Sequence, residues 1–186
     1  PGDEYRLTRH NLGFMVLDRL AERRRLEWRR APGPALETAV RMGGRIVRLL
    51  KPQTMMNLSG RALASLGGAD HRSILVVCDD INLPLGLVRF RLRGGSGGHR
   101  GLESIVGALG DENWPRLRLG VGSPPSADRW SDWVLEPFPA EDEPAVDRMI
   151  DEAVAGLELA VRRGLDAAMQ AHNRRAGEAA DGENPA

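Results

Sequence analysis

The sequence predicts an α/β fold, arranged as a single three-layer domain in which helices flank a central mixed β-sheet. Residues 74–78 form a continuous apolar run, which is typical of a strand buried on both faces of a sheet. Residues 12–26 place apolar side chains at helical spacing, which predicts an amphipathic helix. Strand and helix patterns are mixed along the 186 residues, and this order indicates a layered α/β domain.

The individual elements follow from local patterns. Two apolar segments flank Gly43-Gly44 and predict a hairpin, because paired glycines favour tight hairpin turns. Thr54 is a candidate N-cap for a helix that extends through residue 66. Beyond the buried run, the patterns predict a half-exposed strand at 87–92, a helix at 102–109, strands at 117–121 and 133–135, and a helix from 141 to about 170.

Length and composition indicate one domain followed by a tail. The domain is predicted over residues 1–170, whereas residues 171–186 are small, polar and acidic, which predicts disorder. No apolar run approaches the length of a membrane span, so we expect no membrane partner. The single cysteine, Cys78, cannot form an internal disulfide, which fits a reducing compartment.

The charge of the chain is unevenly distributed. The formal net charge is zero, but residues 1–100 carry a net charge of +9 and residues 101–186 carry −9. A basic half beside an acidic half suggests a surface for a polyanion such as nucleic acid. The alternative is a fold that interleaves the two halves, and the sequence leaves both interpretations open.

His10 and Asp79 are candidates for general base chemistry. His10 precedes the first predicted helix, and an imidazole is a natural general base near neutral pH. Asp79 follows the buried strand, at the strand end where α/β sheets gather ligand sites. A carboxylate there can fix the tautomer of an imidazole, and the pair can activate a water molecule. A surface histidine and a carboxylate that caps its own loop are the alternatives.

Asn57 and the glycine-rich segment 94–101 are candidates for binding. The side-chain amide of Asn57 can hydrogen-bond a peptide or orient a water molecule, with helix capping as the alternative. The glycines of segment 94–101 let backbone N–H groups approach an anion, beside the start of a predicted helix. The segment is not a Walker loop, and a loop that binds no ligand is the alternative.

Covalent and metal-dependent chemistry have weaker support. Ser59, Ser96 and Cys78 are conceivable nucleophiles, but none lies in the sequence context of a nucleophile elbow. The neighbouring carboxylates Asp79 and Asp80 have no histidine cluster near them in the sequence, so they are weak evidence for a metal site. We therefore expect neither a covalent intermediate nor a bound metal.

Five motifs are notable for their order and spacing. They are Pro1-Gly2-x-x-Tyr5 with Thr8-Arg9-His10-Asn11-x-Gly13, Lys51-Pro52-x-Thr54-x-Met56-Asn57-Leu58-Ser59-Gly60, Asp79-Asp80-x-x-Leu83-Pro84-x-Gly86, Gly97-Gly98-His99-x-Gly101-Leu102, and Arg116-Leu117-Arg118-Leu119-Gly120-Val121-Gly122. Together they closely resemble the bacterial peptidyl-tRNA hydrolase family, from residue 1 to about residue 170.

This resemblance implies hydrolysis of the ester that joins a peptide, or an N-blocked aminoacyl group, to the 3′ end of tRNA. It implies that His10 is the general base and Asp79 its partner, with no metal and no cofactor. A cytoplasmic, monomeric enzyme whose partner is peptidyl-tRNA is the expectation. The remaining residues that the resemblance implies are substrate-binding Tyr5, Met56, Asn57 and Arg100, and tRNA-binding His99, Arg118 and Arg129.

The sequence departs from the family's pattern in three places. The family has a β-strand and an asparagine immediately before the Pro-Gly, so we expect the first strand of the sheet to be missing from this chain. Arg100 stands where the family commonly has asparagine. Since arginine cannot accept a hydrogen bond, we expect a role in phosphate binding there. Ala127 aligns with a lysine proposed to hold tRNA, and Arg129 is the nearest candidate.

A non-catalytic RNA-binding relative of the same fold is the alternative function. The missing asparagine and Arg100 favour it, whereas the presence of both His10 and Asp79 opposes it. A metal-dependent phosphoesterase is a more distant third possibility, and its activity would depend on an added divalent ion.

Overall fold

The structure of this chain is a computed structural model that describes residues 2–68 and 70–173. Nearly all of the domain predicted over residues 1–170 is therefore described. Most of the tail predicted over residues 171–186 lies outside the described residues. Among the described residues, no helix is both long enough and apolar enough to cross a membrane.

The described strands form two three-stranded sheets. They are β1 (Arg29–Arg30), β2 (Ala35–Met42), β3 (Arg45–Pro52), β4 (Val76–Asp80), β5 (Val88–Arg91) and β6 (Arg116–Gly120). One sheet has the order β4-β6-β5, with β6 parallel to β4 and antiparallel to β5. The other sheet is antiparallel, in the order β1-β2-β3. The predicted α/β fold with a mixed sheet is confirmed.

The predicted hairpin is formed by β2 and β3, which pair from Ala35↔Pro52 to Met42↔Arg45. Gly43 and Gly44 make its turn at φ values of +54° and +74°, in the left-handed region that suits glycine in a hairpin turn. The hairpin does not pair with the mixed sheet. A cavity of about 800 Å³ lies between β3, β4 and the first helix instead.

The helices depart from the predictions in three places. Met55, and not Thr54, is the N-cap position of the helix that ends at Leu66, and no side chain among the described residues caps that helix. The α-helices are α1 (Leu12–Arg23), α2 (Arg100–Leu109), α3 (Trp130–Leu135), α4 (Glu143–Arg163) and α5 (Leu165–His172), and a 3₁₀ helix spans Met56–Leu66. The strand predicted at 133–135 is wrong, because this segment is the end of α3. The helix predicted from 141 to about 170 is divided at Gly164, where φ is +91°.

Helices cover both faces of the mixed sheet, which produces the predicted three layers. Since side chains alternate across a strand, successive residues of β4 and β6 serve different faces. On one face, Leu117 and Leu119 join α1 and α4 in the main core. On the other face, Cys78 packs with Leu102 and Ile105 of α2 in a second apolar cluster. Asp79 and Asp80 are thus held at the end of a strand that is packed on both sides.

Ion pairs join α1 to α4 across the outside of the main core. Arg19 donates to Asp147 at 2.8 Å and also contacts Asp151, and Arg23 lies 2.7 Å from Asp151. The arginines come from the basic half of the sequence and the aspartates from the acidic half. In this region, therefore, the fold interleaves the two halves so that opposite charges meet.

Candidate active site

A cleft of about 500 Å³ opens at the carboxyl end of β4, the edge at which α/β sheets commonly bind ligands. It brings together the end of β4, the segment before α1, the start of α2 and one side of α3. Its lining includes His10, Arg118, Trp130, Ser131, Val134, Leu135 and residues 55–57, 79–82 and 96–100.

His10 lies in a short turn that is fixed by its own neighbours. The hydroxyl of Thr8 donates to the carbonyl oxygen of Tyr5 at 2.8 Å, and the side chain of Asn11 donates to the same oxygen at 2.6 Å. Thr8 and Asn11 are both buried. These contacts hold the imidazole of His10 at the entrance to α1, with its Nδ1 atom directed at Asp79.

The His10–Asp79 pair has the geometry of a base and its orienter. Nδ1 of His10 lies 2.9 Å from Oδ1 of Asp79, whose side chain is only 2% exposed. Since a carboxylate can only accept, Nδ1 is the donor in this bond. In neutral His10, Nε2 is then the nitrogen that is able to accept a proton.

Asp79 is kept ionised in spite of its burial. Burial by itself would raise the pKa of this carboxyl group, because low-dielectric surroundings disfavour a charge. Hydrogen bonds from His10 and His99 outweigh that effect and hold the pKa of Asp79 well below its usual range. A negative charge is therefore available to stabilise an imidazolium at His10.

His99 is a second ring partner of Asp79. Its Nε2 atom lies 3.0 Å from the same Oδ1 atom, and the ring centroids of His10 and His99 are 4.8 Å apart. His99 is also the N-cap of α2, where its Nδ1 atom accepts from the backbone N–H groups of Gly101 and Leu102. The side chain expected to contact tRNA is thus enclosed among protein partners.

The same three side chains have the spacing of a possible metal site. One ligand atom from each of His10, Asp79 and His99 lies within 4.8 Å of the others. These atoms already hydrogen-bond to one another through Oδ1 of Asp79, so an ion would have to replace both hydrogen bonds. The arrangement therefore suits proton transfer better than metal binding.

Comparisons with known proteins show the family to which the chain is related. Residues 1–180 match the family model described as peptidyl-tRNA hydrolase. The chain belongs to the peptidyl-tRNA hydrolase family. The peptidyl-tRNA hydrolase of Aquifex aeolicus (strain VF5) is 43% identical over 182 residues, with 94% of this chain and 92% of the relative covered. That of Nocardia farcinica is 43% identical over 173 residues, with coverages of 90% and 89%.

A solved structure agrees with this assignment to the peptidyl-tRNA hydrolase family. The peptidyl-tRNA hydrolase of Acinetobacter baumannii superimposes with a TM-score of 0.85 at 34% identity, covering 91% of this chain and 88% of that one. The family is one of ester hydrolases. The alternative of a non-catalytic RNA-binding relative is not favoured, because the relatives are named as hydrolases.

The cleft of this peptidyl-tRNA hydrolase family member contains three of the four predicted substrate-binding residues. Met56 and Asn57 lie at the start of the 3₁₀ helix, and Arg100 is exposed at the start of α2. Tyr5 does not line this cleft. It lines the neighbouring large cavity, and its carbonyl oxygen anchors the turn that carries His10.

The predicted tRNA-binding arginines occupy different positions. Arg118 lines the cleft, and its Nε atom lies 2.8 Å from Oδ2 of the buried Asp80. Arg129 does not line the cleft, and it pairs with Glu136 at 2.9 Å. Arg118 therefore neutralises a buried carboxylate at the cleft, in addition to any contact that it makes with a ligand.

Two further arginines on β5 were not singled out by the sequence. Arg89 pairs in register with Arg118, and Arg91 with Arg116, so all four lie on one face of the mixed sheet. Within the part of the chain that the structure describes, neither Arg89 nor Arg91 has an acidic partner. The alternating pattern at residues 87–92 could have revealed them, since it predicts that both arginines lie on the same side of a strand.

Arg9 is a buried residue whose role the sequence also did not reveal. Its guanidinium lies 3.7 Å from the ring centroid of Trp133 and donates to the carbonyl oxygens of Trp133 and Glu136. Burial lowers the pKa of Arg9. Because Arg9 precedes His10 directly, it ties the end of α3, one wall of the cleft, to the turn that carries the histidine.

Proposed function

We propose that this protein hydrolyses the ester bond between a peptide, or an N-blocked aminoacyl group, and the 3′ end of tRNA, with His10 as general base and Asp79 as its orienter. The observation that carries the proposal is the 2.9 Å contact between Nδ1 of His10 and the buried Asp79, at the cleft of a chain that belongs to this family. Nothing in this reaction requires a metal or a cofactor.

The geometry supports a water-mediated mechanism. Neutral His10 keeps its proton on Nδ1 and donates a hydrogen bond from it to Asp79, so Nε2 is able to take a proton from a water molecule as the water oxygen attacks the ester carbonyl carbon. Asp79 stabilises the imidazolium that forms. Collapse of the tetrahedral intermediate breaks the bond to the 3′ oxygen of tRNA, and the imidazolium returns the proton to that oxygen. The products are a peptide carboxylic acid and tRNA with a free 3′ hydroxyl group.

The lining of the cleft includes groups that suit a peptide and a group that suits RNA. Part of the lining is apolar, with Met55 and Trp130 exposed and Val134 also present, and such groups suit peptide side chains. Asn57 lines the same cleft and is exposed, so its side-chain amide is able to hydrogen-bond a peptide group. Arg100 also lines the cleft, exposed at the start of α2, where a guanidinium suits a phosphate.

The basic face of the mixed sheet supports binding of the tRNA. Arg118 lies in the cleft, and Arg89 and Arg91 continue the same face along β5. Arginines without acidic partners attract a phosphate backbone, and such binding weakens as salt rises. Arg129 is a less direct candidate, because it is engaged with Glu136.

We further propose a monomeric enzyme that acts in the cytoplasm, where peptidyl-tRNA is its partner. The side chains of the base, the orienter and the cleft walls all come from a single chain, so the site needs no second subunit. Light scattering at the concentrations used for assays tests this proposal. A dimer at those concentrations would contradict it.

Release of the acyl group from N-blocked aminoacyl-tRNA is the direct test of the function. We expect the wild type to cleave this substrate and to leave unblocked aminoacyl-tRNA intact, with or without a chelator. His10→Ala should abolish release while tRNA affinity stays nearly unchanged, and His172→Asn, a histidine change outside the cleft on α5, serves as control. Equal loss of binding and turnover in His10→Ala would exclude His10 as the base. No release by folded wild type would favour the RNA-binding alternative.

A further inference from the structure

The hydrogen bonds around His99 fix which of its ring nitrogens carries the proton. The backbone N–H of Gly101 points at Nδ1 from 3.0 Å, and that of Leu102 from 3.3 Å. An amide N–H can only donate, so Nδ1 must be the acceptor and carries no proton. In the neutral ring the proton is therefore on Nε2, which lies 3.0 Å from Oδ1 of Asp79. His99 can donate to Asp79 only because the start of α2 occupies its other nitrogen.

A single carboxylate oxygen receives both histidines. Oδ1 of Asp79 accepts from Nδ1 of His10 at 2.9 Å and from Nε2 of His99 at 3.0 Å. Two donors that approach one oxygen from different rings restrict rotation of the carboxylate more than one donor would. The bond from His99 therefore fixes the direction in which Asp79 faces His10.

The glycine-rich segment before α2 is shaped to bring His99 to this position. Gly97 and Gly98 have φ values of +61° and +83°, which side-chain-bearing residues rarely adopt. A Cβ atom on Gly101 would lie 2.6 Å from Sδ of Met56 and 2.9 Å from Cε1 of His99. The glycines thus allow the backbone to turn into α2 and to approach the ring closely.

We infer that His99 is a positioning residue for catalysis, which acts on His10 through Asp79 and is itself held in the Nε2–H tautomer by the N-terminus of α2. This inference rests on the proposed roles of His10 and Asp79. It replaces the contact with tRNA that the sequence predicts for His99, because its side chain is only 12% exposed and both ring nitrogens have protein partners.

Two substitutions separate the functions of the two ring nitrogens. His99→Asn places a short amide where Nδ1 lies, so it is able to cap α2 but is too short to reach Asp79. His99→Gln places an amide donor near the position of Nε2, so it is able to reach Asp79 but caps the helix poorly. Each variant is compared with wild type for kcat, KM, affinity for deacylated tRNA and the pH dependence of kcat.

We expect His99→Asn to lower kcat about tenfold, the usual effect of losing one hydrogen bond to a charged group, with tRNA affinity unchanged. The acid limb of its pH profile should move to higher pH. Losing a donor raises the pKa of Asp79 and strengthens the attraction of its charge for a proton on His10. His99→Gln should recover most of kcat in spite of a lower melting temperature.

Other outcomes would overturn the inference. Reduced tRNA affinity in His99→Asn, with kcat and pH profile unchanged, would make His99 an RNA contact. Equal losses of kcat and stability in both variants would make it a helix cap only. ¹⁵N–¹H correlation spectra of the wild type provide a direct check, since a neutral His99 protonated on Nδ1 would contradict the inference. Wild-type turnover is measured in the same assays. If the wild type does not cleave the substrate, the proposed function fails, whereas the outcomes above concern His99 alone.

Discussion

At the scale of single residues, Asp79 shows how a buried charge is maintained and used. A carboxylate with a 2% exposed side chain is costly unless its oxygens are hydrogen-bonded, and two imidazole donors supply those bonds. The same bonds that stabilise the charge also aim it at His10. Stability and catalysis therefore depend on one set of contacts at this residue.

Replacement of Asp79 by asparagine should change how stability depends on pH. The pKa of Asp79 is lower in the folded chain than in the unfolded one. Its contribution to the free energy of unfolding is therefore complete above the unfolded pKa of about 4 and is lost as pH falls toward the folded value. We expect Asp79→Asn to cost on the order of 2 kcal/mol at pH 7 and less at pH 3. Urea unfolding at both values measures this difference. The exposed Asp132→Asn is the control, and an equal cost for Asp79→Asn at both pH values would contradict the explanation.

Arg9 should affect the cleft through its contacts with the end of α3. Arg9→Met keeps the apolar stem but removes the donors to the carbonyl oxygens of Trp133 and Glu136. We expect a loss of about 1–3 kcal/mol in the free energy of unfolding and a higher KM, with tRNA affinity less affected. Hydrogen exchange should show faster opening of α3. The exposed Arg6→Met is the matched control, and unchanged exchange in Arg9→Met would show that Arg9 does not hold this wall.

At the scale of elements, the placement of α2 decides where His99 lies. Helix α2 packs against the 3₁₀ helix through Gly60, whose backbone N–H donates to the hydroxyl of Ser104 at 3.0 Å. A Cβ atom on Gly60 would lie 2.2 Å from the carbonyl oxygen of Ser104. There is consequently no space for a side chain between the two helices, and α2 would have to move to admit one.

Gly60→Ala should lower both stability and turnover, since displacing α2 also displaces the N-cap that holds Asp79. We expect a cost of about 1–3 kcal/mol, typical of overpacking a tight contact. Gly107→Ala is the matched control, because Gly107 lies on α2, the helix that Gly60 contacts, with no atom within 4 Å of an added Cβ, and the change should be neutral or stabilising. Thermal melts and kcat measure both variants. A Gly60→Ala variant as stable and active as wild type would show that α2 tolerates displacement.

The elements also show what could be predicted from the sequence and what could not. The apolar run at 74–78 predicted a buried strand, because a short continuous apolar run bounded by polar residues is typical of one. Asp79 follows the run directly, so the same pattern predicted a carboxylate at the end of the strand. Residues 133–135 were predicted as a strand because three residues are too few to distinguish periods of 2 and 3.6. The end of their helix is hydrogen-bonded by Arg9, which is 124 residues distant in sequence from Trp133. The contact of His99 with Asp79 likewise depends on how α2 packs.

At the scale of the whole molecule, both interpretations of the uneven charge apply to different regions. Arginines of α1 are paired with aspartates of α4, so the basic half is neutralised there. On the mixed sheet, Arg89 and Arg91 have no acidic partner within the described residues. Arg89 and Arg91 therefore add positive charge to the sheet face that also carries Arg118 of the cleft, which is where a polyanionic substrate would bind.

This distribution of charge is tested by replacing Arg91 and measuring how tRNA affinity depends on salt. Arg118→Ala is a poorer choice, because it also removes the arginine that pairs with the buried Asp80. We expect Arg91→Ala to weaken tRNA binding and to reduce the slope of log affinity against log salt by about 1, as loss of one phosphate contact should. Arg30→Ala removes the same charge from an exposed position on the other sheet and should leave the slope unchanged. Equal slopes for Arg91→Ala and wild type would mean that the tRNA backbone does not reach this face. A slope reduced equally in Arg91→Ala and Arg30→Ala would indicate a general effect of net charge rather than a defined path for the RNA.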